Sequence, residues 1–358
     1  MLNFEAALAQ SQADLGLIPE HAAAAITAAC STEIDDAHGL LSEGWHAGTP
    51  LAPMLTVIRR RLPDTLHRYL HYGATSQDAL DTATMLQIRR AFYHLFAELL
   101  PLVDRLHSLA DEHRHTPAMA RTLLQHAQPT SFGWTVSRWL SPLIAAGRAL
   151  QAALGSLPVQ LGGAVGALSA FPDQGTALVR QLASRLSLQA PAIPWHSDRT
   201  PVLRPLQVLT ELALALRKAS GDLVLLAQGD VAEVRMRAGV SSAMPHKQNP
   251  IDATRALAAA EACLHACAAL YTGRAHELER AVGGWQLEWL YVPLAFNTSA
   301  AALVATKAAF VSLTVENTRL RETAGSTEVP ASTQALIDRV LADARDFRDQ
   351  PSKPTHAP

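Results

Sequence analysis

Apolar residues recur every three to four positions over long tracts of this chain, and no stretch shows the alternation expected of a half-buried strand. Asp78–Leu100 is one such tract, and Ser76-Gln77-Asp78 supplies capping side chains at its start. A second opens at Pro129-Thr130-Ser131 and runs through Trp134, Trp139, Leu143 and Leu150. A third, Pro201–Glu233, exceeds thirty residues with proline only near its beginning. Asp252–Glu279 and Trp285–Leu313 complete a set of five predicted helices. Helices of this length outrun the usual ~10–14 residues and predict an all-α, elongated long-helix bundle. Glycine- or proline-marked breaks separate them at Leu161–Gly166, Ala238–Pro250 and Ala281–Gly284. From Gly325 onward the pattern turns polar and ends in DQPSKPTHAP, which reads as a frayed tail. The predicted division is a small N-terminal helical domain over 1–77, a central bundle over 78–323, and a short C-terminal remnant over 324–358.

Composition sharpens this picture. Aromatic residues are only 5% of the 358 although about half the chain is apolar; alanine and leucine make up the difference, and both favour helix because they lose little side-chain freedom there. Charged residues are only 17%, which fits either a large core or a subunit that buries much of its outside in an oligomer. The net charge of −2 gives no reason to expect nucleic acid or an anionic membrane as partner. Cys263 and Cys267 flank His265 in an alanine- and leucine-rich run and read as core packing rather than metal ligands. No metal or cofactor is therefore expected. The opening MLNFEAALAQ has no basic region ahead of an apolar block, and the apolar runs are interrupted, so no leader or membrane span is predicted and the expected location is cytoplasmic.

Three polar segments stand out against this background: HYGATSQD (71–78), RTLLQHAQPTSFG (121–133) and VSSAMPHKQNP (240–250). Each gathers hydroxyl, amide and imidazole groups where a helix begins or a loop ends. Helix N-termini carry unpaired N–H groups and partial positive charge, which suits carboxylates. Three such segments together predict a site for a small polycarboxylate. Any one of them alone is as well explained by helix capping.

The segment SSAMPHKQNP resembles the signature loop of the fumarase/aspartase superfamily, and the other two resemble that superfamily's remaining active-site regions in the right order. HYGATSQDALDT, RTLLQHAQPTSFG, LGGAVGAL, PWHSDR and HELERAVGGWQLEW (276–289) are most similar to its carboxymuconate cycloisomerase branch. The resemblance covers about Phe4 to Leu320. It implies a homotetramer whose sites are shared between subunits, and lactone formation from an unsaturated tricarboxylate without cofactor.

Residue by residue, the resemblance makes Ser241 the proton-transferring group, with Ser242 beside it. By the same resemblance Lys247 and Asn249 match positions that hold a carboxylate and stabilise its aci form, and Thr75, Ser76, Gln125 and Thr130 match positions that grip another. His71 matches a substrate-binding imidazole and His126 a catalytic one that acts with Ser241 and Lys247, and Glu277 matches an acid that orients a histidine. Arg199 is a candidate for a third carboxylate, with a plain salt bridge as the alternative. Trp195 and Trp285 read as packing residues. Leu123 stands where many lyases of the superfamily have histidine, which favours the cycloisomerase branch. Val240 stands where the superfamily usually has glycine, which predicts a stiffer loop. The chain also starts at what is usually an internal helix and has little of the C-terminal helical domain of longer relatives. The rival readings are β-elimination from a substituted succinate such as adenylosuccinate, and a non-catalytic homologue.

Overall fold

The computed structural model describes residues 1–239, 244, 247–273, 275–325 and 329–349. The chain is all-α apart from two short two-stranded sheets among those residues. The helices are α1 (Leu2–Asp14), α2 (Glu20–Ser31), α3 (Ala37–Ala47), α4 (Leu51–Arg60), α5 (Ser76–Glu112), α6 (Phe132–Leu154), α7 (Gly175–Leu186), α8 (Thr200–Leu226), α9 (Ile251–Thr272), α10 (Gly284–Val311), α11 (Asn317–Ala324) and α12 (Ala331–Asp349). A 3-10 helix, Asp64–Tyr69, precedes α5. The strands are β1 (Pro117–Thr122), β2 (Gln125–Ser131), β3 (Val234–Arg235) and β4 (Thr314–Val315), paired antiparallel as β1–β2 and β3–β4.

The residues group into two compact units. One comprises Met1–Ala91, Ala153–Arg204 and Gly273–Gln286; the other comprises Phe92–Ala152, Pro205–Thr272 and Leu287–Pro358. In the first, α1 packs on α2 and α7, burying Phe4, Leu8 and Ile26. In the second, the fully buried Trp139 meets Phe132 and Phe310, while its indole N–H donates to Asp222 Oδ2 at 2.7 Å. The polar end of the ring is thereby satisfied inside an apolar core.

Two expectations from the sequence change. The stretch read as a frayed tail contains α12, whose Ile337, Leu341, Ala344 and Phe347 are buried. Their spacing of four, three and three residues makes one helical face. Phe347 lies edge-on to Phe96 at 5.6 Å, over the space left by Gly147, where a Cβ would come within 2.3 Å of the ring. The second polar segment, in turn, is a β-hairpin rather than a loop leading into a helix.

By length and composition alone, α10 is apolar enough to cross a membrane, but 44% of its most apolar stretch is buried inside the fold, and a core helix passes the same test. Its inner side accounts for part of that apolarity, burying Val292, Ala295, Phe296, Leu303 and Phe310. The outer side carries Leu290, Leu294, Val304 and Val311, all exposed, together with the exposed Asn297 and Ala301. From Leu290 to Val304 these positions recur at steps of four and three, and Val311 lies one heptad further on, the period of a helix–helix seam.

Candidate active site

The first polar segment is built around a carboxylate that the sequence pattern marks only as a helix cap. Asp78, in the first turn of α5, is fully buried and accepts four hydrogen bonds. Oδ2 takes the amides of Thr75 and Gly163, both at 2.9 Å. Oδ1 takes the amide of Gly162 at 2.9 Å and Nε2 of His196 at 2.7 Å. The Thr75 contact is the acidic half of a capping box, and the Asp78 amide donates back to the Thr75 carbonyl at 3.0 Å. The 162–163 turn can approach this closely only as glycine: a Cβ on Gly162 would fall 2.9 Å from Gly166 Cα, and Gly163 adopts φ +73°. Gln77 completes the arrangement by donating to the His196 carbonyl at 2.9 Å.

On this frame sit His71, Thr75 and Ser76. His71 Nδ1 is 2.7 Å from Oε1 of the buried Glu5. Burial works against a charge on the ring, yet the hydrogen bond and charge of Glu5, with the charge of Asp78, outweigh it and hold the imidazole above its ordinary pKa. Arg280 donates to Thr75 Oγ1 and to the Ala164 carbonyl, each at 3.1 Å. It has no carboxylate partner among the described residues. A guanidinium fixed by neutral acceptors keeps its charge available for an anion. Arg280 is absent from the residues expected from the sequence, although it lies inside HELERAVGGWQLEW. Its signal there is being the one guanidinium in that run.

Arg199 is differently employed. It is 2% exposed, makes a two-pronged ion pair with Asp81 at 2.8 and 2.9 Å, and stacks over Trp195 at 4.9 Å from the ring centre. Trp285 donates to the same Asp81 at 3.0 Å, and Trp195 donates to the Val159 carbonyl at 2.9 Å. This geometry favours the salt-bridge alternative for Arg199, in a buried rather than a surface setting. The adjacent His276 is held below its ordinary pKa by burial and then by the charge of Arg199. Glu277 accepts from the Val282 amide at 3.1 Å, and that bond helps keep its carboxyl below the usual range.

In the other unit, Arg121 pairs through both prongs with the buried Glu233, at 2.9 and 2.6 Å, anchoring the β1–β2 hairpin. Thr122 faces Gln125 and Ala118 faces Thr130 across the ladder. The two residues between the strands, Leu123 and Leu124, have φ +50° and +64°. A two-residue turn of that hand normally takes Asn-Gly, because a bulky side chain is strained there. Leu123 is nevertheless 96% exposed. His126 is exposed opposite Arg121 and lines a cavity of about 420 Å³ with Leu124, Arg138, Lys218 and Arg319. Ser131 Oγ accepts from the Trp134 amide at 3.1 Å and caps α6.

Of the third segment, Val240, Ser241 and Ser242 lie outside the described residues. Asn249 is held by its backbone, its carbonyl accepting from Gly239 at 3.0 Å and from Ile251 at 2.8 Å, where α9 begins. Lys247 and Asn249 line a cavity of about 510 Å³ with Arg235 and Gln228. His126 and Lys247 thus border separate cavities of one unit, while His71, Thr75, Ser76, Arg199 and Glu277 belong to the other.

The sequence pattern of the lyase family matches residues 1–262, well over half of the chain. The chain belongs to this lyase family. Among relatives in it, the 3-carboxy-cis,cis-muconate cycloisomerase of Bradyrhizobium diazoefficiens is 36% identical over 99% of this chain and 81% of its own length. The nitrosuccinate lyase of Streptomyces davaonensis is also 36% identical, over 96% of this chain and 77% of its own. The crystal structure of the 3-carboxy-cis,cis-muconate lactonizing enzyme from Pseudomonas putida superposes with a TM-score of 0.83 at 32% identity, covering 97% of this chain and 82% of that one. The chain is thus an all-α enzyme of the lyase family, and its relatives include both ring-closing and bond-cleaving members.

Proposed function

We propose that this enzyme closes 3-carboxy-cis,cis-muconate to 4-carboxymuconolactone in the cytoplasm, as part of protocatechuate breakdown. The observation that carries the reading is the group of donors at the start of α5: His71 with raised basicity beside Glu5, and Arg280 fixed on Thr75 without a carboxylate partner among the described residues. A tricarboxylate needs more such groups than fumarate does. Arg280 takes the role for which the sequence offers Arg199, whose charge goes to Asp81.

In this mechanism one substrate carboxylate oxygen bonds to an alkene carbon. The displaced π pair moves to the neighbouring carbon and into the carboxylate it bears. Lys247 and Asn249 stabilise that aci-carboxylate, and Ser241 delivers a proton to the carbon, later regaining one from solvent. His126, Gln125, Thr130, Thr75 and Ser76 hold the remaining carboxylates by hydrogen bonds. All the steps are acid–base and electrostatic, and these residues supply them without a metal or organic cofactor.

We further infer a homotetramer in which different copies contribute the three polar segments to each site. The exposed seam along α10, from Leu290 to Val311, offers an apolar surface of coiled-coil period for pairing between copies. Mixing Ser241→Ala chains with His126→Asn chains should restore activity that neither parent has. A stable, active monomer in light scattering would refute the shared site.

The second reading, β-elimination from a substituted succinate, is favoured by the nitrosuccinate lyase relative. It uses the same serine and the same aci-carboxylate. The deciding assay follows loss of the conjugated diene's ultraviolet absorbance in the presence of chelator, with nitrosuccinate, adenylosuccinate and argininosuccinate assayed alongside. Turnover of carboxymuconate at least about a hundredfold above the others is expected, because polar groups left unpaired by a wrong ligand discriminate strongly. Robust cleavage of a succinate with no ring closure would overturn the lactonising reading.

A further inference from the structure

Glu5 lies on the buried side of α1, next to Phe4 and near Leu8, and its side chain is fully shielded from water. A carboxylate in such a place is costly unless it is paired. Its one hydrogen-bonded partner among the described side chains is His71 Nδ1 at 2.7 Å; Oε2 has none. His71 holds its ring there from a backbone at φ +59°, a region that non-glycine residues seldom occupy and that costs energy to maintain. The ring keeps 14% of its surface open, and Nε2 has no partner among the described residues. One nitrogen is therefore fixed inward and the other left available.

We propose that Glu5 is a positioning residue for His71: it fixes the imidazole through Nδ1 and keeps a protonated Nε2 available to a carboxylate of the substrate. The proposal rests on the reading that the first polar segment belongs to the active site. The charged and titratable groups around the ring come from several elements. Glu5 from α1 and Asp78 from α5 favour the imidazolium, and Arg59 from α4 opposes it. Cys30 from α2, beside Glu5, has its thiol pushed up to about 12 by burial and by the Glu5 charge, so it stays neutral. The Met1 ammonium also lies near Glu5. With Nδ1–H committed to Glu5, a neutral ring offers Nε2 only as an acceptor. The ring donates from Nε2 only when it is charged.

The test pairs two measurements on the intact protein, wild type and Glu5→Gln. Ring-carbon NMR gives the titration midpoint of His71, assigned by its loss in His71→Asn. Loss of 3-carboxy-cis,cis-muconate absorbance gives kcat/KM against pH. In the wild type the midpoint should lie above the ordinary ~6.5, and Glu5→Gln should lower it by about one unit or more. The basic limb of kcat/KM should move down by the same interval, with KM rising more than kcat falls, because the contact is made already in the ground state. An unchanged midpoint overturns the proposal, as does a midpoint that moves while the rate profile stays fixed. Should Glu5→Gln fail to fold, a wild-type midpoint at or below ~6.5 overturns it and one clearly above supports it. Absence of carboxymuconate turnover defeats the proposed substrate, while the NMR arm still judges the Glu5–His71 pair.

Discussion

Replacing Asp78 by alanine should destabilise the protein by roughly 4 kcal/mol, a large share of the ~5–15 kcal/mol typical of a folded domain. The figure follows from what the carboxylate holds: the amides of Thr75, Gly162 and Gly163 and the ring N–H of His196. Each bond to a charged acceptor is worth about 1.5–3 kcal/mol, and a buried donor left without a partner costs about 1–3. The whole sum is not realised, because the substitution also relieves the burial of a charge and lets water enter. Asp78→Asn gives a graded version. Each carboxylate oxygen serves two donors, so an amide in either orientation sets its NH2 against two N–H groups and should lose about half as much. Urea unfolding followed by circular dichroism, at one fixed protein concentration and with m unchanged, reads both values from the midpoint. A loss under about 1 kcal/mol for Asp78→Ala would refute the view that this carboxylate ties the segment together.

Three further outcomes are expected. Ser241→Ala should leave fold and assembly intact and lower turnover by roughly two to four powers of ten, with a much smaller loss for Ser242→Ala; equal losses in steady-state kinetics would overturn the assignment. Replacing Leu123-Leu124 by Asn-Gly should raise the unfolding midpoint by relieving about 1–2 kcal/mol per residue of left-handed strain, and a lowered thermal midpoint would contradict that strain. His71, raised in the folded state, contributes stability that is fully present below its unfolded pKa of ~6.5 and lost as pH rises through the folded value. The stability advantage of wild type over His71→Asn should therefore shrink as pH rises from about 6 through the folded midpoint, and a growing gap in denaturant titrations would reverse the sign.

The long helices were legible because a 3.6-residue period sustained over twenty or more positions fits no strand or loop. Their ends were less so. The tract that runs to Glu233 in the sequence stops as a helix at Leu226, and the one that runs to Glu279 stops at Thr272, close to Gly229 and Gly273, which are the stop signals that mark those ends. The hairpin escaped because most of β2 is exposed and the Leu-Leu turn carries none of the usual turn residues. In α12 the apolar face was present, but the surrounding charges obscured it. The polar segments themselves were visible as clusters of unusual residue types. Beyond its local cap on Thr75, Asp78 as an organiser was not, nor was Glu5 as the partner of His71, because those bonds join positions 66 to 118 residues apart, and no local pattern encodes such a pairing.

The connectivity of the unit that contains Asp78 bears on how the chain emerges from the ribosome. Its three pieces are separated by two long stretches of the other unit, and the donors to Asp78 include Gly162, Gly163 and His196. Synthesis at ~5–20 residues per second leaves the carboxylate without these partners for several seconds after α5 is made. The unit that contains Asp78 cannot be completed until Gln286 is made, when most of the other unit has already been synthesised. An N-terminal fragment ending before His196 would expose a buried acid without its base, an easy substrate for cellular proteases.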